Sequence, residues 1–563
     1  MIVTGAQAIV KVLEQEGVDA VFGYPGGSVI PLYNALYDAN FRRVLSVHEQ
    51  GAIHAADGYA RASGKVGVCV ATAGPGATNL VTGLATAYLD SSPVVAITGQ
   101  VAQHLIGKDA FQEIDIVSAT IAVTKYNVMI ESVEDLVPTL KFAFRLAKAG
   151  RPGPVLVDVP SSIQNAMVNW EEADLIPVSP LPEERVNTEG MGSLQLIKQV
   201  KVLLEKAERP LVLVGGGLIQ SGAQSKLMEF LKLTGIPAAS TLMGLSSIDP
   251  TYPRYLHLTG MHGHKSANLA VKNADLIMVV GSRFSDRVTG NKEVYASNKT
   301  IIQFDIDNSE LDKNIGADIR VLGNLTYTLP MLMRMPWEKL NIEKWWEQIE
   351  LWQAEDVSSR EEPNWLTPRF IMENLGQCFD NDDVVYVSDV GQNQMWAAQY
   401  LPFKKPRRHI TSGGCGTMGF CMPGALGAKI GNPQARVVGI AGDGGFKMTG
   451  MELYTAVREN LPLLIVVVNN FCLGMVRQWQ HLFYERRYSS TILDRGFDFV
   501  GFAQSCGAQG LHAETCEEYL DALEKVKNME GVVLLEVRIP CSEMVEPMVA
   551  AGKSIDDFVD VYR

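Results

Sequence analysis

The sequence predicts an α/β protein of three consecutive domains, each built on a mainly parallel central sheet flanked by helices. Two observations carry this. Short β-branched runs end in glycine-rich turns and pass into stretches of helical period, and this grammar recurs three times along the 563 residues, as in parallel sheets. Length agrees with the count, because at roughly 150 residues per domain the chain is too long for one core and suits three.

The first domain, 1–168, has expected strands at 20–22, 67–71, 94–98 and 155–159. A polar, acidic stretch at 169–190 lacks sustained periodicity and reads as a linker. The middle domain, 191–336, has strands expected at 210–217, 276–281 and 301–306, ending in or beside glycine or aspartate, as nucleotide-binding edges do. A tryptophan-rich acidic stretch at 337–368 reads as a second linker. The third domain, 369–540, has strands expected at 384–387, 437–441, 463–468 and 532–537, and 541–563 forms a tail. The first and third domains share their grammar, which is compatible with duplication.

Composition excludes several classes. With 47% hydrophobic and 20% charged residues the chain is globular, and its formal charge of −14 disfavours nucleic acid and anionic membrane surfaces. Apolar runs are strand length, far short of the roughly 20 residues that span a bilayer. No basic-then-apolar leader is visible, so the expected location is cytoplasmic. The eight cysteines form no C-x-x-C pair and are expected as reduced thiols.

The strongest chemical signal is an apolar strand ending at Gly442-Asp443-Gly444-Gly445, then a helix, then a second apolar strand ending at Asn469-Asn470. A helical crossover brings the carboxyl ends of parallel strands together, so Asp443 and Asn470 can face one ion. Their oxygen donors suit Mg²⁺ or Ca²⁺ rather than zinc. Glycines 442, 444 and 445 let backbone N–H groups approach phosphate oxygens. Each motif alone is an ordinary turn; the pair at this spacing makes a clamp for a metal-bound diphosphate.

The ordered set Phe22-Gly23-Tyr24-Pro25-Gly26-Gly27, His48-Glu49-Gln50, Gly74-Pro75-Gly76-Ala77-Thr78-Asn79, Gly-Asp-Gly-Gly and Asn-Asn resembles the thiamine diphosphate enzymes of pyruvate-oxidase type across nearly the whole chain. The resemblance implies thiamine diphosphate held by Tyr24, Pro25, Gly26, Gly27, Gly74, Asn79, Gln392, Gly416, Met418, Gly442, Gly444, Gly445 and Met475, and Mg²⁺ held by Asp443, Asn470 and the backbone oxygen of Cys472. Glu49 is then the acid at the aminopyrimidine ring, and Met418 the apolar prop that bends the cofactor. In such enzymes each cofactor lies between the first domain of one subunit and the third domain of another, which implies a homo-oligomer with active sites at a dimer interface.

Further stretches resemble the acetohydroxyacid (acetolactate) synthase large-subunit family: Asp109-Ala110-Phe111-Gln112-Glu113, Thr124-Lys125, Arg283-Phe284-Ser285-Asp286-Arg287, Ser388-Asp389-Val390-Gly391-Gln392 and Gly474-Met475-Val476-Arg477-Gln478-Trp479. The family decarboxylates pyruvate and joins the hydroxyethyl fragment to pyruvate or 2-oxobutyrate. It implies Gln112 as an oxyanion donor, with Lys125 and Phe111 around the reacting centre. Arg283 suits the carboxylate of the second oxo acid, and Trp479 is a flat wall beside its alkyl group. A structural FAD is implied on Gly215, Gly216, Gly217, Thr241, Leu242, Met243, Met261, His262, Gly263, Arg283, Asp305 and Asp307, together with a separate small regulatory subunit as partner. The sequence departs from the family at Val47, where arginine is common, Ala73 and Gly445, where serine is common, and Asn324, where aspartate is common. Two alternatives stand beside this reading. A decarboxylase of the same fold would carry paired active-site histidines, whereas the close pair here, His262 and His264, falls in the middle domain. The joint retention of Glu49, Gln112, Arg283, Asp443, Asn470 and Trp479 argues against a silent paralogue.

Overall fold

The computed structural model describes residues 1–178, 181, 193–357, 365–493 and 496–562. The expected α/β fold is observed: three six-stranded sheets, every pairing within them parallel. The central strands are β-branched and buried on both faces, as helices on either side require. A separate antiparallel pair, Ile2–Thr4 with Met167–Asn169, ties the chain start to the end of the first sheet's unit.

Across the first sheet the strands run Arg42–Leu45, Ala20–Tyr24, Gly67–Ala71, Val94–Gln100, Val155–Pro160, Tyr126–Met129. Across the third they run His409–Thr411, Val384–Ser388, Arg436–Gly442, Leu463–Asn469, Val532–Arg538, Gln509–Ala513. Numbered by appearance within each sheet, both orders are 2-1-3-4-6-5, so the likeness of grammar extends to topology. The middle sheet differs. Its order is Tyr255–Leu258, Ala238–Ser240, Pro210–Val214, Leu276–Val280, Thr300–Asp305, Ile319–Leu322, the 3-2-1-4-5-6 arrangement of dinucleotide-binding sheets.

The first and third sheets share one core. Helix Glu49–Ser63 lies against helix Cys421–Gly431, and Ala52, Ile53 and Ala56 join Ala425, Leu426 and Val437 in a single apolar cluster. The contact demands glycine, since a side chain on Gly58 would collide with the Gly424 backbone and one on Gly427 with that of Ala55. An arginine is buried in this seam, where Arg61 donates to Asp57 at 2.7 Å and to Asp90 at 3.0 Å.

The stretch 337–368, expected as a linker, carries helix Glu343–Val357, whose Trp345 and Ile349 are buried in the middle sheet's core. Its tryptophans serve packing. Within the expected first linker, Trp170–Leu175 is a helix with Ala173 in the first core. Residues 182–190 and the expected start of the middle domain at 191 lie outside the described residues. Among the described residues no helix is long and apolar enough to cross a membrane.

Candidate active site

Strands Arg436–Gly442 and Leu463–Asn469 lie side by side with Gly442 opposite Val468, so both leave the sheet at the same edge. Asp443 opens helix Asp443–Thr449 at one exit and Asn470 follows the other. Both line a cleft with Gly442, Gly444, Gly445, Met418 and Met475. Asn393 and Leu473 on the same wall were not found from the sequence, and Val390 was quoted there only as part of a motif; Asn393 follows Gln392 at the start of helix Gln392–Tyr400 and could have been found by that position.

Asp443 Oδ2 is buried with no hydrogen-bond partner, and burial pushes the carboxyl up to about 6. A buried, unpaired carboxylate oxygen is costly, and a cation in the cleft would offset that cost. Among the described residues no group of three or more His, Cys, Asp or Glu side chains is placed to hold a metal ion. A cation held here would draw on one carboxylate, an amide oxygen and backbone oxygen, leaving positions for water and phosphate, a set that fits Mg²⁺.

The turn carrying Met418 is pinned at both ends by buried carboxylates. Asp90, from the first sheet's unit, accepts the N–H groups of Gly413 at 3.0 Å and Gly414 at 2.7 Å. Asp389 accepts those of Gly419 at 2.9 Å and Cys421 at 3.1 Å. Between these anchors Gly416 takes φ +67, a conformation glycine adopts freely. Asp389 also explains one departure, because a Cβ on Gly445 would stand 2.5 Å from its Oδ1.

A second set of groups gathers at the carboxyl edge of the first sheet. Glu49 opens helix Glu49–Ser63 and is 9% exposed. Asn79 Nδ2 donates to Glu49 Oε2 at 2.9 Å. The turns around Gly26 and Gly74 are laced together by Ser28, whose Oγ lies 2.9 Å from Thr72 Oγ1 and accepts the Ala73 N–H at 2.8 Å. Gln112, at φ +62, packs so closely on Gly74 that a Cβ there would stand 2.9 Å from its own. Phe111 beside it is 88% exposed. No residue of this set lines the Asp443 cleft of the same chain, whose walls all come from 390–476.

Comparison with known proteins decides the family. Residues 3–119 match the thiamine pyrophosphate enzyme N-terminal TPP binding domain, 197–332 the central domain and 389–537 the C-terminal TPP binding domain. The acetolactate synthase isozyme 2 large subunit of Escherichia coli (strain K12) is 44% identical over 99% of both chains. The acetolactate synthase large subunit of Corynebacterium glutamicum is 44% identical over 98% of this chain and 90% of its own. The probable acetolactate synthase large subunit of Methanocaldococcus jannaschii is 42% identical over 99% of this chain and 95% of its own. The chain belongs to the acetolactate synthase large-subunit family. Two of its three matched domains are TPP binding domains, so thiamine diphosphate is the cofactor of this acetolactate synthase fold.

The remaining expected residues fall in three places. Lys125 sets its ammonium on the carbonyls of Leu146 and Ala149, at the end of helix Val133–Lys148. Trp479, in helix Gly474–Phe483, packs on the cluster of Met544, Met548 and Val561 from the tail. Arg283 donates to the Leu89 carbonyl at 2.8 Å, bridging the middle sheet's edge to the first unit.

At that middle edge Gly215 and Gly217 meet the Gly281 backbone so closely that neither tolerates a Cβ. These glycines are needed for packing with or without a ligand. Burial pushes Asp305 up to about 6, and its Oδ1 accepts the Asp307 N–H at 3.0 Å. Asp307 Oδ1 accepts the Ser309 N–H at 2.9 Å. His262 Nδ1 is buried without a partner. Thr241 caps the turn Leu242–Gly244, and Met261 and Gly263 belong to the next turn along the edge. Of the other departures, Asn324 caps helix Leu325–Met333 as an aspartate would, and nothing in the structure explains Val47, which meets Glu452 only through its main-chain N–H at 3.1 Å.

Proposed function

We propose that this chain is the catalytic subunit of an acetolactate synthase. It decarboxylates pyruvate and joins the hydroxyethyl fragment to a second 2-oxo acid, pyruvate or 2-oxobutyrate. The products are 2-acetolactate or 2-aceto-2-hydroxybutyrate, for branched-chain amino-acid synthesis. The observation that carries the reading is the buried, unpartnered Asp443 Oδ2 facing a cleft shared with Asn470 and Met418.

Bound thiamine diphosphate supplies the electron sink for decarboxylation and the carbon nucleophile for the addition. Asp443, Asn470 and the main-chain oxygen of Cys472 would hold Mg²⁺, and the glycines at 442, 444 and 445 carry no side chain to bar a diphosphate from the backbone there. Glu49 comes from a second copy of the chain and holds a proton at the aminopyrimidine nitrogen. The absence of Glu49 from its own chain's cleft supports that pairing, as does the exposed Phe111 beside Gln112. Gln112 donates to developing oxyanion charge. Lys125 is proposed at the reacting centre on the family resemblance alone: it stands where strand Tyr126–Met129 begins, at the amino edge of the first sheet, with its side chain on Gly153.

Arg283 offers a two-pronged donor for the carboxylate of the second oxo acid, and Trp479 a flat wall for its alkyl group. One methylene buried there is worth about 1–3 kcal/mol in choosing 2-oxobutyrate over pyruvate. FAD is proposed as a structural ligand at the middle sheet's carboxyl edge. The 3-2-1-4-5-6 strand order and the unpartnered His262 Nδ1 support it, and a yellow protein is expected. The "large subunit" in the relatives' names supports a small regulatory partner.

Incubation with pyruvate, Mg²⁺ and thiamine diphosphate is expected to yield acetolactate. Acetaldehyde as the main product overturns the reading in favour of a decarboxylase. With mixed pyruvate and 2-oxobutyrate, Trp479→Leu is expected to lower the share of 2-aceto-2-hydroxybutyrate, and an unchanged ratio removes Trp479 from the acceptor site.

A further inference from the structure

Three buried carboxamides form a ladder from the Asp443 cleft to the C-terminal tail. Gln478, fully buried in helix Gly474–Phe483, exchanges two hydrogen bonds with the main chain of Val545. Its Nε2 donates to the Val545 carbonyl and its Oε1 accepts the Val545 N–H, both at 2.9 Å. The same Oε1 accepts from Gln392 Nε2 at 3.0 Å, and that nitrogen also donates to the Glu543 carbonyl at 3.1 Å. Gln392 Oε1 in turn accepts from Asn470 Nδ2 at 3.0 Å. Asn470 Oδ1 is left to accept the Cys472 N–H at 3.3 Å and to face the cleft.

The polarity of the ladder is set from the tail. A main-chain N–H only donates and a carbonyl only accepts, so Val545 dictates which end of the Gln478 amide is oxygen. Glu543 does the same for Gln392, and the two agree. Asn470 receives the result: its nitrogen must turn to Gln392 and its oxygen away. Only that oxygen can ligate a hard cation, and a reversed amide would aim N–H groups at the metal. Gly474 makes room, since any side chain there would collide with Gln392 Oε1 and come within 2.6 Å of Asn470 Nδ2.

We propose that Gln478 is a positioning residue which, through Gln392, orients the Asn470 carboxamide toward the cation, and that docking of the tail at Glu543 and Val545 is linked to metal affinity. This rests on the metal–diphosphate reading above. Linkage is reciprocal: a docked tail strengthens cation binding, and a bound cation holds the tail.

The test uses full-length protein, Mn²⁺ as the probe cation at saturating thiamine diphosphate, and amide hydrogen exchange over 543–548. In the wild type, Mn²⁺ with thiamine diphosphate is expected to slow exchange in the tail. Gln478→Met is expected to weaken Mn²⁺ about tenfold or more, the usual cost of losing a group that orients a metal ligand, and to abolish the metal's effect on tail exchange. Gln478→Glu keeps the acceptor oxygen and is expected to lose less. Wild-type Mn²⁺ affinity in folded Gln478→Met overturns the proposal, and equal losses in both variants overturn the polarity argument. If Gln478→Met does not fold, Gly474→Ala displaces Gln392 and is expected to weaken Mn²⁺ similarly; unchanged affinity there overturns the proposal. A wild type that binds no Mn²⁺ with thiamine diphosphate instead overturns the functional reading, and this inference with it.

Discussion

Asn79 Nδ2 donates to Glu49 Oε2 at 2.9 Å, so the carboxyl at the head of helix Glu49–Ser63 is fixed in direction by a residue on the neighbouring turn. Its other oxygen faces Gly76, where a Cβ would stand 3.2 Å away and crowd the approach. Glu49→Gln is expected to cut carboligation about 100- to 10,000-fold, the range for loss of a general acid–base group, with the melting temperature preserved. Asn79→Ala leaves the carboxyl in place but free to turn, and a smaller loss in kcat is expected. Full activity in Glu49→Gln removes Glu49 from the mechanism.

The pair Gly445 and Asp389 makes the opposite kind of prediction. Serine is common at the first position in the family, yet here its Cβ would stand 2.5 Å from Asp389 Oδ1. Asp389 would have to shift from the N–H groups that hold the Met418 turn. Gly445→Ser is expected to destabilise the fold by about 1–3 kcal/mol, as overpacking does, and to lower kcat. Higher activity at an unchanged melting temperature contradicts this.

Asp158 gives the pH dependence. It accepts from Thr98 Oγ1 at 2.6 Å and Gln100 Nε2 at 3.0 Å, and burial pushes it up from 3.8 to about 7. The fold thus favours the neutral acid. Its stabilisation is complete below pH 3.8 and is lost as pH rises through about 7. Unfolding free energy from urea titrations is expected to fall between pH 5 and 8, and to fall less steeply in Asp158→Asn. Parallel curves contradict the assignment. Gln100 also donates to the Ile114 carbonyl at 2.8 Å, so the segment carrying Gln112 is expected to loosen over the same pH interval.

How much of this was legible in the sequence follows from where each residue sits. Interior strands such as Leu463–Asn469 are buried along their whole length and announce themselves as apolar runs. Edge strands such as Arg42–Leu45 and Gln509–Ala513 are half solvated, carry charged or polar residues, and were missed. Asp443 and Asn470 were legible because strand ends and glycine turns put them at one edge. The Gln478 ladder was not, since it joins residues far apart in the chain to main-chain atoms of a tail with no periodicity. Glu49 was found by motif, but the helix it opens was not, because nothing in Val47-His48 shows that His48 accepts the Gln50 N–H and starts one. Trp345 looked like part of a linker because burial of one helix face in the middle core cannot be read from composition.

The central claim is a thiamine diphosphate carboligation centre made by two chains, Glu49 from one and Asp443 from the other. Mixing and re-pairing inactive Glu49→Gln and Asp443→Asn proteins tests it most directly, with acetolactate formation from pyruvate as the readout. About one quarter of the wild-type rate is predicted, since half of randomly paired dimers are mixed and each mixed dimer has one intact site. No activity above that of the separate variants would mean that both groups serve the same chain, and would contradict the account.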